Sequence, residues 1–148
     1  MPSASIRAEI SINASPKKVF DYVSDLIRHG EWSADSVQIV VLSSGSIAVG
    51  HQYRSTARSR GITFKAEMEV TEYDPPRYFA FKGFDETGKF SHRFTFQPHG
   101  DGTLVTRQTH LDANLIQMPV FLIALYPLRV YAAKKALRLL KEKIERAG

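Results

Sequence analysis

Residues 119–148, PVFLIALYPLRVYAAKKALRLLKEKIERAG, determine the fold that we expect for this chain of 148 residues. Apolar residues recur along the segment at the spacing of one helix face: Val130, Ala133, Leu137, Leu140 and Ile144. A helix over residues 119–146 would be roughly 40 Å long, at about 1.5 Å per residue. A helix of that length needs a broad apolar partner, and the residues before it predict a sheet.

Pro127 interrupts the expected helix. A proline in a helix interior removes one backbone hydrogen bond and clashes with the preceding turn. We therefore expect a kink or a break near residues 123–126, and the sequence leaves open which of the two forms. Pro119, by contrast, suits a first helical turn, where the missing N–H has no partner to lose.

Short runs of alternating apolar and polar residues fill the rest of the chain, and this period of two is typical of strands. The clearest run covers residues 62–73, with Ile62, Phe64, Ala66, Met68 and Val70 on one face. Further strands are expected at residues 5–12, 37–43, 50–58, 77–84, 89–97 and 103–113. After the first strand, Ser15 and Pro16 predict the capped start of a short helix, and residues 28–32 predict a second short helix or a turn.

The elements therefore follow the order of one strand, two short helices, six strands and one long helix. Turn signals recur about every 10–14 residues among the six strands, which indicates an antiparallel meander. The fold class is α+β. At this length and with 43% hydrophobic residues, we expect a single domain over residues 1–148.

Composition excludes several classes of protein and site. The chain has no cysteine, which excludes disulfides, thiol nucleophiles and thiolate metal sites. It has no run of about 18 apolar residues that would span a membrane. Its first ten residues, MPSASIRAEI, lack the pattern of a signal peptide, so we expect a cytoplasmic protein. The five histidines show no spacing typical of metal ligands, and we expect neither a metal nor a cofactor.

The net charge of +5 is concentrated in the expected long helix. From Arg129 onward the chain has seven Lys or Arg and two Glu, whereas the first 128 residues carry 13 basic and 13 acidic groups. Two interpretations stay open. The cations form a solvated helix face, or they support a weak peripheral contact with an anionic membrane. No aromatic and basic residues alternate as in nucleic-acid binding motifs, so no nucleic-acid partner is expected.

Five short motifs stand between these elements. In chain order they are residues 13–20 (NASPKKVF), Trp32, Val49-Gly50, residues 72–77 (EYDPPR) and Gly102-Thr103. With this element order, they make the chain resemble the START-like superfamily, also called SRPBCC, and in particular its polyketide cyclase/dehydrase branch. The resemblance covers nearly the whole chain. The motifs serve turns, caps and packing, so they carry more information about fold than about function.

The resemblance implies a helix-grip fold, in which a curved seven-stranded antiparallel sheet wraps around the long C-terminal helix, with two short helices after the first strand. It also implies an apolar cavity between sheet and helix. Members of the superfamily bind lipids, sterols, polyketides or quinones, and a minority catalyse a reaction. A hydrophobic small molecule is therefore the expected partner.

Strand alternation and the resemblance together give a set of candidate ligand-binding residues. They are Trp32, Tyr53, Phe64, Met68, Phe79, Phe81, His92, Phe94, Arg107, Thr109 and Tyr126. Trp32 either packs under the sheet edge or, with His29, gates the entrance. An apolar pocket with a few convergent polar groups is the usual form of a small-molecule site.

The candidate catalytic residues are His92, Arg107 and Tyr53. An inward-facing arginine must be paired or solvated, so Arg107 either anchors a ligand carboxylate or enolate or lies at the surface on a shifted register. His92 is either a satisfied core residue or a group that binds a ligand and moves protons. If the last two strands pair through the turn at residues 98–102, Arg107 and His92 share one cavity wall.

Two functions remain open from the sequence. One is the binding or carriage of a lipid, polyketide or quinone-like molecule in the cavity. The other is an enzyme of the polyketide cyclase/aromatase type, which would fold a poly-β-keto chain into a reacting geometry and move protons. The sequence does not specify the identity of the ligand or the oligomeric state.

Overall fold

The computed structural model describes residues 3–33, 36–59, 61–86, 88–112 and 126–147. Within these ranges it contains seven strands, two α-helices and one 3₁₀ helix. Their bounds are β1 Ser3–Ile12, α1 Pro16–Ser24, the 3₁₀ helix Leu26–Glu31, β2 Ser36–Val41, β3 Gln52–Ser59, β4 Ile62–Asp74, β5 Tyr78–Asp85, β6 Gly88–His99, β7 Gly102–Asp112 and α2 Tyr126–Ala147. This is the predicted element order, and no described strand end moves by more than two residues from its predicted position.

The strands form one sheet in the order β1-β7-β6-β5-β4-β3-β2, and every neighbouring pair is antiparallel. Strands β2 to β7 are a continuous meander. The first strand then pairs with the last, from Ser3 opposite Asp112 to Ile12 opposite Thr103. The seven-stranded antiparallel sheet with its long C-terminal helix confirms the predicted helix-grip fold.

Residues of the motif at 13–20 stabilise the start of α1. Ser15 Oγ accepts a hydrogen bond from Lys18 N at 3.2 Å, and Pro16 occupies the first turn. Thr103 Oγ1 donates to the carbonyl oxygen of Ala14 at 2.7 Å. A Cβ at Gly102 would lie only 2.2 Å from the Ile12 carbonyl oxygen, so only glycine allows this approach. Two of the five motifs therefore join the ends of β1 and β7.

Strand β4 does not alternate along its whole length. Its register against β5 shifts between Val70 and Glu72, which is a β-bulge. The bulge brings Tyr73 to the inner face, where its ring centroid lies 5.4 Å from that of Phe20. At the other end of the strand, Ile62 was predicted to face inward but is 57% exposed, because it lies at the strand end beside the turn at Gly61.

Helix α2 buries the C-terminal part of the predicted stripe, whereas Val130 and Ala133 nearer its start are half-buried. Ala136, Leu137, Leu140 and Ile144 are at most 4% exposed and belong to the core with the inner face of the sheet. Near its C-terminal end, Lys141 Nζ donates to the Ser11 carbonyl oxygen at 2.8 Å, which fixes the helix against β1.

Pro127 is the second residue of the described helix. Of the region in which a kink or break is expected, residues 123–125 lie outside the described residues, as does the predicted helix start at Pro119, so both stay predictions. Within the described ranges, no helix combines the length and apolar character needed to cross a membrane.

The assignment of side chains to the inner and outer faces of β6 predicts a large loss of stability on substituting Phe96 and almost none on substituting its neighbour Gln97. Phe96 is 2% exposed and its ring centroid lies 5.3 Å from that of Phe20. Phe96→Asp would bury an unpaired carboxylate and should lower the free energy of unfolding by more than the roughly 3–5 kcal/mol of a large aromatic-to-alanine change. Gln97→Asp, on the exposed face, should change it by no more than about 0.5 kcal/mol. Urea unfolding measures both, and similar losses would contradict the assignment.

Candidate functional site

A cavity of about 230 Å³ lies between the inner face of the sheet, the 3₁₀ helix and the N-terminal half of α2. Small side chains create this space. Ala132, Ala133 and Ala136 of α2 face it from one side, and Ala57 and Ala66 of the sheet face it from another. Larger residues at these positions would fill the volume, because protein interiors are otherwise close-packed.

One wall of the cavity is polar and is built by β6 and β7. In their register His92 is opposite Thr109 and Phe94 is opposite Arg107. Arg107 and Thr109 therefore share the inner face with His92, which lies diagonally across from Arg107. Arg107 Nη2 donates to His92 Nδ1 at 3.3 Å, and Thr109 Oγ1 lies 3.0 Å from the same nitrogen.

Arg107 is a buried cation, only 8% exposed. Burial lowers the pKa of its guanidinium to about 10, so the group remains charged at neutral pH. Its guanidinium carbon lies 5.7 Å from the ring centroid of Trp32 and 5.4 Å from that of Phe94. The aromatic faces attract the charge. No carboxylate of the described residues forms a salt bridge with Arg107.

Both histidines of the site are neutral at pH 7. Burial, reinforced by the positive charge of Arg107, lowers the pKa of His92 well below its usual value and that of His29 to about 3. Arginine only donates hydrogen bonds, so Nδ1 of His92 must be an acceptor and its ring proton resides on Nε2. His29 packs edge-on against Trp32 with ring centroids 4.4 Å apart.

The structure places six of the eleven predicted ligand-binding residues in the cavity wall. They are Phe64, Met68, Phe81, His92, Arg107 and Thr109. His92 and Arg107 share this wall as the expected hairpin requires, whereas their roles toward a ligand stay predictions.

The other five predicted residues lie outside the described cavity wall. Trp32, Phe79 and Phe94 are at most 1% exposed and pack in the core, where α1 and the 3₁₀ helix cover the sheet. Tyr126 donates its hydroxyl to the Ser5 carbonyl oxygen at 2.8 Å. Trp32 thus takes the packing position that the sequence left as one of its two alternatives.

Tyr53, the third catalytic candidate, is also separate from the His92–Arg107 pair. It lies on β3, three strands from β6, and a spacing of about 4.8 Å per strand puts the backbones roughly 14 Å apart along the sheet. Its side chain is 4% exposed, and burial raises its pKa to about 12. The structure therefore unites two of the three candidates.

Sequence reasoning did not assign the alanines of α2 to the cavity. They were recognised as part of the apolar stripe, and their small size on the side facing the sheet was the available signal. Ile6 and Ile39 also line the cavity, from the outermost strands β1 and β2. Across the described ranges, no three His, Asp or Glu side chains cluster as metal ligands would.

Known proteins resemble this chain in sequence over most of its length. The sequence model of the family described as polyketide cyclase/dehydrase and lipid transport matches residues 3–145. An uncharacterized protein of Mycobacterium tuberculosis is 26% identical over 125 residues, which cover 79% of this chain and 82% of that protein.

Two crystal structures extend the comparison. The TTHA0849 protein of Thermus thermophilus superposes with a TM-score of 0.80 at 20% identity, over 98% of this chain and 99% of that one. The Zhui aromatase/cyclase of a Streptomyces species superposes with a TM-score of 0.77 at 13% identity, over 98% and 95% of the two chains. At such identities the likeness establishes the fold alone.

The lowered pKa values of His29 and His92, whose side chains are half-buried, predict a pH dependence of stability. Their pKa values are lowered in the folded protein, so below about pH 6.5 the unfolded chain binds protons that the folded protein does not. Stability should therefore fall as the pH falls, by up to about 1.4 kcal/mol per pH unit for each histidine. Urea unfolding between about pH 7.5 and pH 5 measures this above the range in which carboxylates titrate.

His92→Gln should make the slope of stability against pH shallower, because one titrating group is lost. His99→Gln is the matched control, since His99 is exposed at the end of β6. An unchanged slope in His92→Gln would contradict the assignment of a neutral imidazole.

Proposed function

The chain belongs to the polyketide cyclase/dehydrase and lipid transport family, and on that premise we propose that it binds and carries a hydrophobic small molecule in the cavity between the sheet and α2. The observation that carries the proposal is the lining. Apolar side chains such as Phe64, Met68 and Phe81 line much of the space, and the polar groups of His92, Arg107 and Thr109 converge on one wall. This combination is typical of small-molecule sites.

The presence of the cavity is better explained by a ligand site than by imperfect packing of the core. An empty apolar space deprives its lining of dispersion contacts and costs stability, so cores rarely keep one. Here the space is maintained by alanines on α2 opposite alanines on the sheet. The volume of about 230 Å³ is somewhat smaller than that of most small-molecule pockets, which span roughly 300–1,000 Å³. It favours a compact ligand.

A polyketide cyclase/aromatase is the second candidate, and the contact between His92 and Arg107 favours it. Such an enzyme would remove a proton between two carbonyls, and the enolate carbon would attack a ketone. The resulting alkoxide would take up the proton, and loss of water would follow. The cation Arg107 suits the enolate oxygen.

His92 fits the role of base poorly. Its lone pair on Nδ1 already accepts from Arg107. Its lowered pKa makes the imidazole a weak base at neutral pH. Carriage is therefore the function that this geometry supports best, and catalysis would require His92 to turn away from Arg107.

The proposed binding site predicts an effect of filling the cavity. Ala132→Phe adds a ring on the cavity side of α2, whereas Lys135→Phe adds the same ring on the exposed side. Wild-type protein should bind the neutral dye Nile red, and Ala132→Phe should weaken binding about tenfold or more. Lys135→Phe should bind as wild type does. Fluorescence titration measures affinity, with thermal unfolding as a check of folding. Absence of dye binding, or equal affinity in Ala132→Phe, would contradict the proposal.

The cations on the outer face of α2 are proposed to be solvated and dispensable for ligand binding. Lys134, Lys135 and Arg138 are exposed, whereas Lys141 bonds Ser11 and Glu145 and is kept in the test. Replacing the three by Gln should leave Nile red affinity unchanged and should not alter cosedimentation with vesicles of phosphatidylserine and phosphatidylcholine. Salt-sensitive vesicle binding that this variant loses would instead establish peripheral membrane contact.

A further inference from the structure

We propose that the ligand is an amphipathic monocarboxylate, whose carboxylate binds the guanidinium of Arg107 and whose compact apolar body fills the rest of the cavity. This inference rests on the proposed function and adds the chemical class of the ligand. It follows from four observations on the polar wall: an uncompensated charge, an excess of donors, a fixed histidine tautomer and an apolar surrounding.

The first observation is that the positive charge of Arg107 lacks a counter-ion among the residues that the structure describes. The eight ion pairs of the described ranges all lie elsewhere, and each of their side chains is at least 32% exposed. Asp85 lines the same cavity from the far end of β5, where it is opposite Gly88, about 13 Å along β6 from His92 at roughly 3.3 Å per residue. Outside the described ranges the sequence has a single acidic residue, Asp35. A buried charge without a partner is costly, and a bound anion would remove that cost.

The second observation is that hydrogen-bond donors outnumber acceptors. The guanidinium of Arg107 has five N–H donors, and His92 Nδ1 is the acceptor found for it among the described side chains and backbone. The Nε atom of Arg107 is buried without an acceptor in that part of the chain. A carboxylate supplies two oxygens and only accepts, so it complements this wall where an amine or an ammonium would not.

The third observation concerns the remaining hydrogen-bonding group of the His92 ring. Its Nδ1 accepts from Arg107, so its remaining ring nitrogen, Nε2, carries a proton and donates. Because Nδ1 is an acceptor, the hydroxyl of Thr109, 3.0 Å away, donates its proton to the same nitrogen. The wall therefore combines a cation with an imidazole whose remaining hydrogen-bonding group is a donor, and this combination favours an anion.

The fourth observation limits the ligand to one acidic group. The other two cations of the lining, Lys89 and Arg129, are exposed. Away from Arg107 the inner part of the lining is apolar and includes Phe64, Phe81 and Met68 of the sheet and Ala132 and Ala136 of α2. A second carboxylate there would be desolvated without a partner. A single acid at one end of a compact apolar body fits both parts of the cavity.

The test compares 2-naphthoic acid with its methyl ester, which have the same apolar body. At about pH 8 the wild-type protein should bind the acid about tenfold more tightly than the ester, the gain of roughly one charge-assisted hydrogen bond. Arg107→Met should remove this preference, while the affinities for the ester and for Nile red stay within about twofold. Arg138→Met, an exposed arginine of α2 outside the cavity wall, is the matched control and should keep the preference. Arg129→Met, the control for the exposed arginine of the wall itself, should keep it as well.

Thermal unfolding of the free protein provides an independent readout. If Arg107 has no counter-ion before ligand binds, Arg107→Met should unfold at a higher temperature than wild type, because an unpaired buried charge is removed. Asp35→Asn should leave both the unfolding temperature and the preference for the acid unchanged. Destabilisation by Arg107→Met together with Asp35→Asn would identify Asp35 as the counter-ion and overturn the inference.

The remaining outcomes separate this inference from the proposed function. If Nile red and the ester bind but the acid has no advantage in the wild type, the cavity binds apolar molecules and the carboxylate inference is wrong. If the Arg129→Met control loses the preference while Arg107→Met retains it, the assignment to Arg107 is wrong. If neither dye, acid nor ester binds, the proposed function itself fails.

Discussion

The packing of α2 against the inner face of the sheet is the contact on which the rest of this structure depends. The two halves of the helix do different things. Toward the C-terminal end, Leu137, Leu140 and Ile144 fill the space against the sheet and are at most 1% exposed. Toward the N-terminal end, alanines face the same sheet and leave a cavity. One helix therefore closes the core at one end and covers the proposed binding site at the other. The change in side-chain size along the helix separates the two regions.

The residues that make the chain recognisable are not those that would choose its ligand. Ser15, Gly102 and Thr103 form the corner at which β1, α1 and β7 meet, through a helix cap, a close backbone approach and one hydrogen bond. These contacts are requirements of the fold and are satisfied in the same way whatever the cavity holds. The polar wall depends instead on three positions of β6 and β7, which strand geometry leaves free to vary.

Much of this architecture could be predicted from the sequence, because strand alternation and turn residues are local properties. The hairpin register of β6 and β7 even placed Arg107 beside His92. Alternation identifies the inner face of a strand, but not what covers that face. Phe79 and Phe94 lie under α1 and the 3₁₀ helix and therefore belong to the core. Phe64 and Phe81 lie where α2 has alanines and therefore line the cavity. That distinction depends on contacts between distant segments, as does the separation of Tyr53 from His92 and Arg107.

The pairing of β1 with β7 has a consequence for how the chain reaches this state. Because Ser3 lies opposite Asp112, β1 cannot pair with β7 until nearly the whole sheet has been synthesised. Helix α2 is synthesised later still. Contacts between residues so far apart in sequence form slowly, because a long loop must close before they can contribute. During synthesis the meander emerges before α2, and the rings of Phe64 and Phe81, which face the side that α2 covers, stay exposed until that helix follows. Folding yield, and the demand for chaperones, should therefore depend chiefly on this late closure.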